Sequence, residues 1–158
     1  MTPLEEVQRA HILTGIPIQS FSFANLSEFK TFMDSFNSND YPVHVCVPFE
    51  SNGRYVSGLR KSVIPLQGWF LMKVKNDRFD FRSAKVEENF IKPMRDKAVI
   101  FLSNVVNSDL TDTEDDTIND TISPTYAFTA ARLMGVSYKL SWPIVESICE
   151  FEDAQNEQ

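Results

Sequence analysis

The run SVIPLQGWFLMKVK, residues 62–75, constrains the fold more than any other stretch of the chain. Its side chains alternate at a period of two. Ile64, Leu66, Gly68, Phe70, Met72 and Val74 line one face, and Val63, Gln67, Trp69, Leu71 and Lys73 the other. A two-residue period marks a β-strand. Apolar residues on both faces mean a central strand, or one covered on both sides. Pro65 has no N–H to give a ladder, so the beginning of the strand falls at an edge or a bulge.

Other elements gather around this strand. In the segment YPVHVCVPFE, Val43, Val45, Val47 and Phe49 share one strand face, and His44, Cys46 and Pro48 the other. Residues 51–61 read as a polar, basic loop with two glycines. Thr125–Met134 alternates again, Gly135 reads as a turn, and Val136, Tyr138, Leu140, Trp142 and Ile144 form a strict apolar face. The two runs are joined almost without a loop and so read as an antiparallel hairpin. Ile18–Phe23 reads as a short strand.

Three helices are expected. Thr2-Pro3-Leu4-Glu5 carries a cap, a proline suited to the first helical position and a glutamate that closes a capping box. Leu4, Val7 and His11 follow on one face, and Gly15 and Pro17 stop the helix. Asn25 with Glu28 repeats the cap before a stripe of Leu26, Phe29, Met33 and Phe36, and residues 37–40 end it as a turn. The longest helix runs from Ala84 to Val106 with Ser83 as cap. Val86, Phe90, Met94, Ala98, Phe101 and Val105 make its buried stripe, and Pro93 kinks or breaks it. The expected fold is α+β, a mostly antiparallel sheet with helices packed on one face.

A chain of 158 residues with 42% hydrophobic content and 13 Phe can bury a core as a single domain over 1–158. Cys46 and Cys149 do not make a disulfide framework and read as buried thiols in a reducing compartment. The first residues, MTPLEEVQRA, lack the basic start and apolar core of an export signal, and no apolar run is long enough for a membrane span. Charge is concentrated. The acidic loop at 107–122 holds Asp109, Asp112, Glu114, Asp115, Asp116 and Asp120, and removing these six takes the formal charge from −7 to −1. A flexible acidic tail occupies 151–158. This balance excludes a broad basic DNA-binding face.

No catalytic constellation emerges. The acidic loop fails as a calcium loop of the helix–loop–helix type. Counted from Asp112, the turn glycine and the bidentate acid fall on Thr117 and Ser123, and counted from Asp109 the third position is Thr111. An irregular cation site, a solvated mobile loop and an electrostatic assembly surface remain as readings of it. His44 and Cys46 point the same way from one strand, as a nucleophile and its base must, but no glycine-rich turn or helix N-terminus lies beside Cys46 to lower its pKa. A zinc site would need His11, His44, Cys46 and Cys149 to converge without any closely spaced ligand pair. Phosphate-binding, dinucleotide-binding, serine-hydrolase and zinc-protease motifs are absent from the sequence. No cofactor is expected.

The layout YPVHVCVPFE, a basic loop, VIPLQGWFLMK, FIKPMRDKAVIFL and TYAFTAARLMGVSYKLSWPIVE resembles the small neck and tail-completion proteins of tailed bacteriophages. It resembles especially the ring-forming connector proteins of crAss-like phages that infect Bacteroides, over about Leu4 to Cys149. The resemblance implies a structural virion protein made in the host cytoplasm, with no catalytic or metal-binding residues. It implies a homo-oligomeric ring of six or twelve copies, stacked below the portal or against adjacent ring and tail proteins, through which double-stranded DNA passes. A ring subunit needs two patches that close by rotation. The basic residues Arg54, Arg60 and Lys61 and the acidic loop are the candidates, with the acidic loop otherwise facing the channel and repelling DNA phosphates. The alternatives are a non-enzymatic phage accessory or adaptor protein outside the virion, and a small Cys- or metal-dependent enzyme using His44 and Cys46.

Overall fold

The computed structural model describes residues 1–25, 27–28, 42–73, 87–114, 117–128 and 133–148. The elements are α1 (Pro3–Ile12), a 3-10 turn (Ile18–Ser20), β1 (Phe21–Phe23), β2 (Val43–Cys46), β3 (Asn52–Val56), β4 (Leu59–Lys73), a π turn (Glu87–Ile91), α2 (Lys92–Val106), β5 (Asp120–Phe128) and β6 (Leu133–Ser147). One sheet takes all six strands in the order β1-β2-β4-β6-β5, and β3 also pairs with β4. The β1–β2 pair is parallel, and every other pair is antiparallel. The fold is therefore α+β, with a mostly antiparallel sheet and two helices packed on it.

β4 is the central strand its two apolar faces require. It pairs with β6 without interruption from Leu59↔Ser147 to Lys73↔Leu133. Its other side is shared, with β3 opposite residues 59–63 and β2 opposite 68–71. Pro65 lies between those two partners, where no ladder asks for its missing N–H. The helix-covered face carries Ile64, Leu66 and Phe70 of β4 and Val136, Tyr138, Leu140 and Trp142 of β6. Val7 and Ala10 of α1 and Met94, Ala98, Phe101 and Val105 of α2 close over them. Each buried Val, Leu, Ile, Phe or Met among them contributes about 1.5–3 kcal/mol on burial. Val43, Val45, Leu71 and Leu133 are buried on the opposite face.

An N-cap hydrogen bond forms at each expected helix start. Thr2 Oγ1 accepts from the Glu5 amide at 3.2 Å. Asn25 Oδ1 accepts from the Glu28 amide at 2.9 Å, and its side-chain amide donates back to Glu28 at 3.1 Å. The stripe of Leu26, Phe29, Met33 and Phe36 and the turn at 37–40 lie outside the described residues, as do Ser83 to Val86. Pro93 leaves its mark as expected. The backbone widens into a π turn just before it, which accommodates a carbonyl that the proline nitrogen cannot serve.

Four expectations are corrected. Ile18–Phe23 is half turn and half strand, because the Ser20 amide bonds the Pro17 carbonyl at 2.9 Å and closes a 3-10 turn. Residues 51–61 are mostly not a loop. Ser57 (φ 46°) and Gly58 (φ 81°) make a two-residue hairpin turn between β3 and β4. β3 escapes the alternation test because all five of its residues are exposed. Gly135 is not a turn but lies inside β6. A Cβ there would run into the Phe70 carbonyl oxygen and come within 3.0 Å of Leu71 Cα, so the glycine permits close backbone approach. Finally, the strand before β6 begins at Asp120, so the expected loop at 107–122 gives its last residues to the sheet. Residues 129–132 lie outside the described residues.

Candidate functional site

Four of the charged residues singled out by the sequence, Arg60, Lys61, Asp112 and Glu114, form ion pairs within the subunit at the β3–β4 end of the sheet. Arg60 stands directly across the ladder from Glu146, and its Nη1 donates to Glu146 Oε2 at 3.2 Å and to Ser51 Oγ at 2.9 Å. Nη2 donates to the Ser51 carbonyl at 2.8 Å. Lys61 Nζ reaches Glu114 Oε2 at 2.8 Å and Asp112 Oδ2 at 3.7 Å. The hydrogen bond to Glu114 is the main cause of the upward shift of the Lys61 pKa, with Asp112 adding to it.

The acidic loop is tied down along the edge of β6. Thr111 bridges Ile144, the Asp112 amide donates to the Pro143 carbonyl at 2.9 Å, and the Val145 amide donates to the Leu110 carbonyl at 2.9 Å. The buried indole of Trp142 donates to Thr111 Oγ1 at 2.9 Å, and that hydroxyl donates on to the Val105 carbonyl at 3.3 Å. Asp109 lies in the turn after α2, beside Glu5 and Glu146. Asp120 opens β5 opposite Leu140. Arg54 is exposed on β3 opposite Lys61. Asp115 and Asp116 lie outside the described residues. Among the described residues, no three His, Cys, Asp or Glu side chains gather where they could hold a metal ion.

His44 and Cys46 face the core beneath the helices, and sequence reasoning missed what joins them. His11 Nε2 lies 3.2 Å from the Pro17 carbonyl oxygen, His11 Nδ1 lies 3.0 Å from His44 Nδ1, and His44 Nε2 lies 2.7 Å from the Tyr138 hydroxyl. One fixed point sets every proton. A carbonyl only accepts, so neutral His11 donates from Nε2 and accepts at Nδ1. His44 must then donate from Nδ1 and accept at Nε2, and the proton there comes from Tyr138. The Cys46 thiol lies 3.7 Å from the Val47 carbonyl, its acceptor. The result is a one-way wire of neutral groups linking α1, β2 and β6.

The surroundings keep these groups uncharged. His44 is fully buried, stacked on Phe70 with ring centroids 4.0 Å apart and edge-on to Phe101 at 4.5 Å. Burial pushes its pKa well below 6.5, and His11 adds to the shift. Burial lowers His11 too, against the backbone bonds from Pro17 and Ile16. It pushes the Tyr138 hydroxyl well above 10.0 and the Cys46 thiol up to about 12. A sealed thiol with so high a pKa is a poor nucleophile at neutral pH, so His44 and Cys46 do not form an activated pair. Two signals hinted at the wire: His11 lies on an apolar helix face, and Tyr138 on an apolar strand face, where a buried hydroxyl needs a partner.

No protein-family model matches the chain. Searched against curated proteins, it has no match.

Proposed function

We propose that the protein is a structural subunit of a ring in the head–tail connector or tail of a bacteriophage, where copies surround the channel through which double-stranded DNA passes. The observation that carries this reading is the exposed edge strand β3. All five of its residues are exposed, and its apolar end is presented to solvent, with Tyr55 71% and Val56 44% exposed. Monomeric proteins blunt or cover such an edge, and one left open is a surface for pairing with another chain. The sequence resemblance to ring-forming connector proteins supports the same reading. Partners are further copies of the chain, six or twelve to a ring, with portal and adjacent tail proteins above and below.

Light scattering coupled to size-exclusion chromatography, with negative-stain microscopy, tests the proposal. The subunit mass is 18.1 kDa, and a ring is expected at six or twelve times that value. Mass spectrometry of purified particles should find the chain in the neck or tail. A chain that is monomeric alone and absent from particles refutes the reading.

A further inference from the structure

We infer that β3 of one subunit pairs antiparallel with β5 of a second copy, so that one sheet continues from subunit to subunit. This rests on the ring reading above and names its interface.

Backbone direction settles which groups are on offer. In a two-residue hairpin the closing pair, here Val56 and Leu59, turns its N–H and C=O inward, and the pattern alternates from there. Arg54 and Asn52 therefore bond to β4, while the backbone groups of Gly53 and Tyr55 point outward. At the far edge, Pro143 and Val145 bond to residues 112 and 110, so odd-numbered residues of β6 face away from β4. Their partners Thr121 and Ser123 face β6, and Asp120, Ile122 and Pro124 turn outward. Pro124 thus occupies the position where a missing N–H costs the edge nothing internally.

The two edges suit each other better than themselves. Self-pairing of β3 through both Gly53 and Tyr55 sets Arg54 directly opposite the same residue of the other copy, an unfavourable like-charge pair. Self-pairing of β5 through all its outward residues meets the missing N–H of Pro124. Pairing Gly53 with Ile122 and Tyr55 with Asp120 uses four outward residues and avoids both conflicts. It also continues the cross-strand row of Glu146, Arg60 and Tyr55 in one copy onto Asp120 of the next. The sheet edge has a step at this point, since β1 and β2 cover β4 only from Gly68 onward.

The stagger fits a closed ring. Arg54 sits level with Lys61 of β4 and Thr121 level with Gln67, six residues further along. That is about 20 Å along the strands, against about 19 Å for the width of four strands. A planar ring closes on these values with strands tilted by about 45°, at the upper end of the range for closed barrels.

Cross-linking tests the register. In the double variant Arg54→Cys with Thr121→Cys, the new cysteines lie three strand spacings apart within one chain and directly opposite between copies, within disulfide reach. Mild oxidation is expected to give a ladder of multimers on a non-reducing gel, in contrast to the wild-type chain with Cys46 and Cys149. Tyr55→Pro removes only an outward N–H, so its circular dichroism should match wild type while its assembly mass falls to that of the monomer. A wild-type ring that persists in Tyr55→Pro, or that gives no ladder, overturns this interface and leaves the ring reading intact. Dimers from Arg54→Cys alone show β3 self-pairing and also overturn it. A wild-type chain that never assembles overturns both.

Discussion

Replacing Tyr138 with Phe removes one oxygen from the centre of the buried wire and leaves the ring's packing in place. The hydroxyl donates to His44 Nε2 at 2.7 Å, and His44 is sealed between Phe70 and Phe101. No water reaches the abandoned nitrogen, so the cost is that of a buried acceptor without a donor, about 1–3 kcal/mol. Phe occupies nearly the same volume, so little cavity cost is added. Urea unfolding followed by Trp fluorescence should show a lower midpoint with unchanged slope, and the melting temperature should fall by roughly 3–9 °C. His44→Leu alone should also destabilise, because it leaves Tyr138 without an acceptor. The double variant should cost less than the sum of the two, with a coupling of about 0.5–3 kcal/mol, since each single change strands the group that the other would remove. A Tyr138→Phe loss below about 0.5 kcal/mol, or costs that simply add, would refute the wire as described.

The remaining predictions concern other parts of the same architecture. Both histidines are depressed in the fold, so below their ordinary pKa the unfolded chain binds protons that the native state refuses. Their contribution is therefore complete above about pH 6.5 and is lost as pH falls, by up to roughly 2.7 kcal/mol per pH unit while only the unfolded state titrates; urea midpoints that stay level from pH 7 to 5 would contradict this. Thr111→Val leaves the buried Trp142 indole N–H without its acceptor and should cost about 1–3 kcal/mol, with the strongest loss of amide protection at residues 110–112. Cys46 should resist iodoacetamide at pH 8 in native buffer and react in 6 M urea, as peptide mass spectrometry will distinguish from Cys149; fast native labelling would show that the thiol is not sealed.

Much of the fold was legible because local chemistry and global structure agree. The caps at Thr2 and Asn25 are complete within four residues, so no distant contact is needed to read them. The alternation in β4 and β6 survives because each places its apolar positions against the same two helices. What escaped depends on neighbours far away in sequence. β3 carries no apolar face because it is held by backbone pairing alone at the sheet's edge. Gly135 resembles a turn residue until its neighbour is known to be Phe70. The wire joins positions 11, 44 and 138, and only the packing of α1 beneath β2 brings the two imidazoles together. Of the residues flagged for charge, Lys61, Asp112 and Glu114 come together and satisfy one another within the subunit. The proposed contact with another chain rests instead on backbone groups at the sheet's edges, which no count of charges could have shown.

The uninterrupted pairing of β4 with β6 also sets a timetable. Its partners are 60 residues apart at Lys73↔Leu133 and 88 apart at Leu59↔Ser147. A ribosome adding about 5–20 residues per second delivers the second strand roughly 3–18 s after the first. During that interval the long central strand β4 has one whole side unpaired, with β3 and β2 able to cover only the other. Closing so long a loop is also slow in its own right. The yield of folded subunits should therefore fall when translation between the two strands is slowed, because the unpaired interval lengthens. The sheet edge that most needs protection from aggregation is one that the finished molecule no longer exposes.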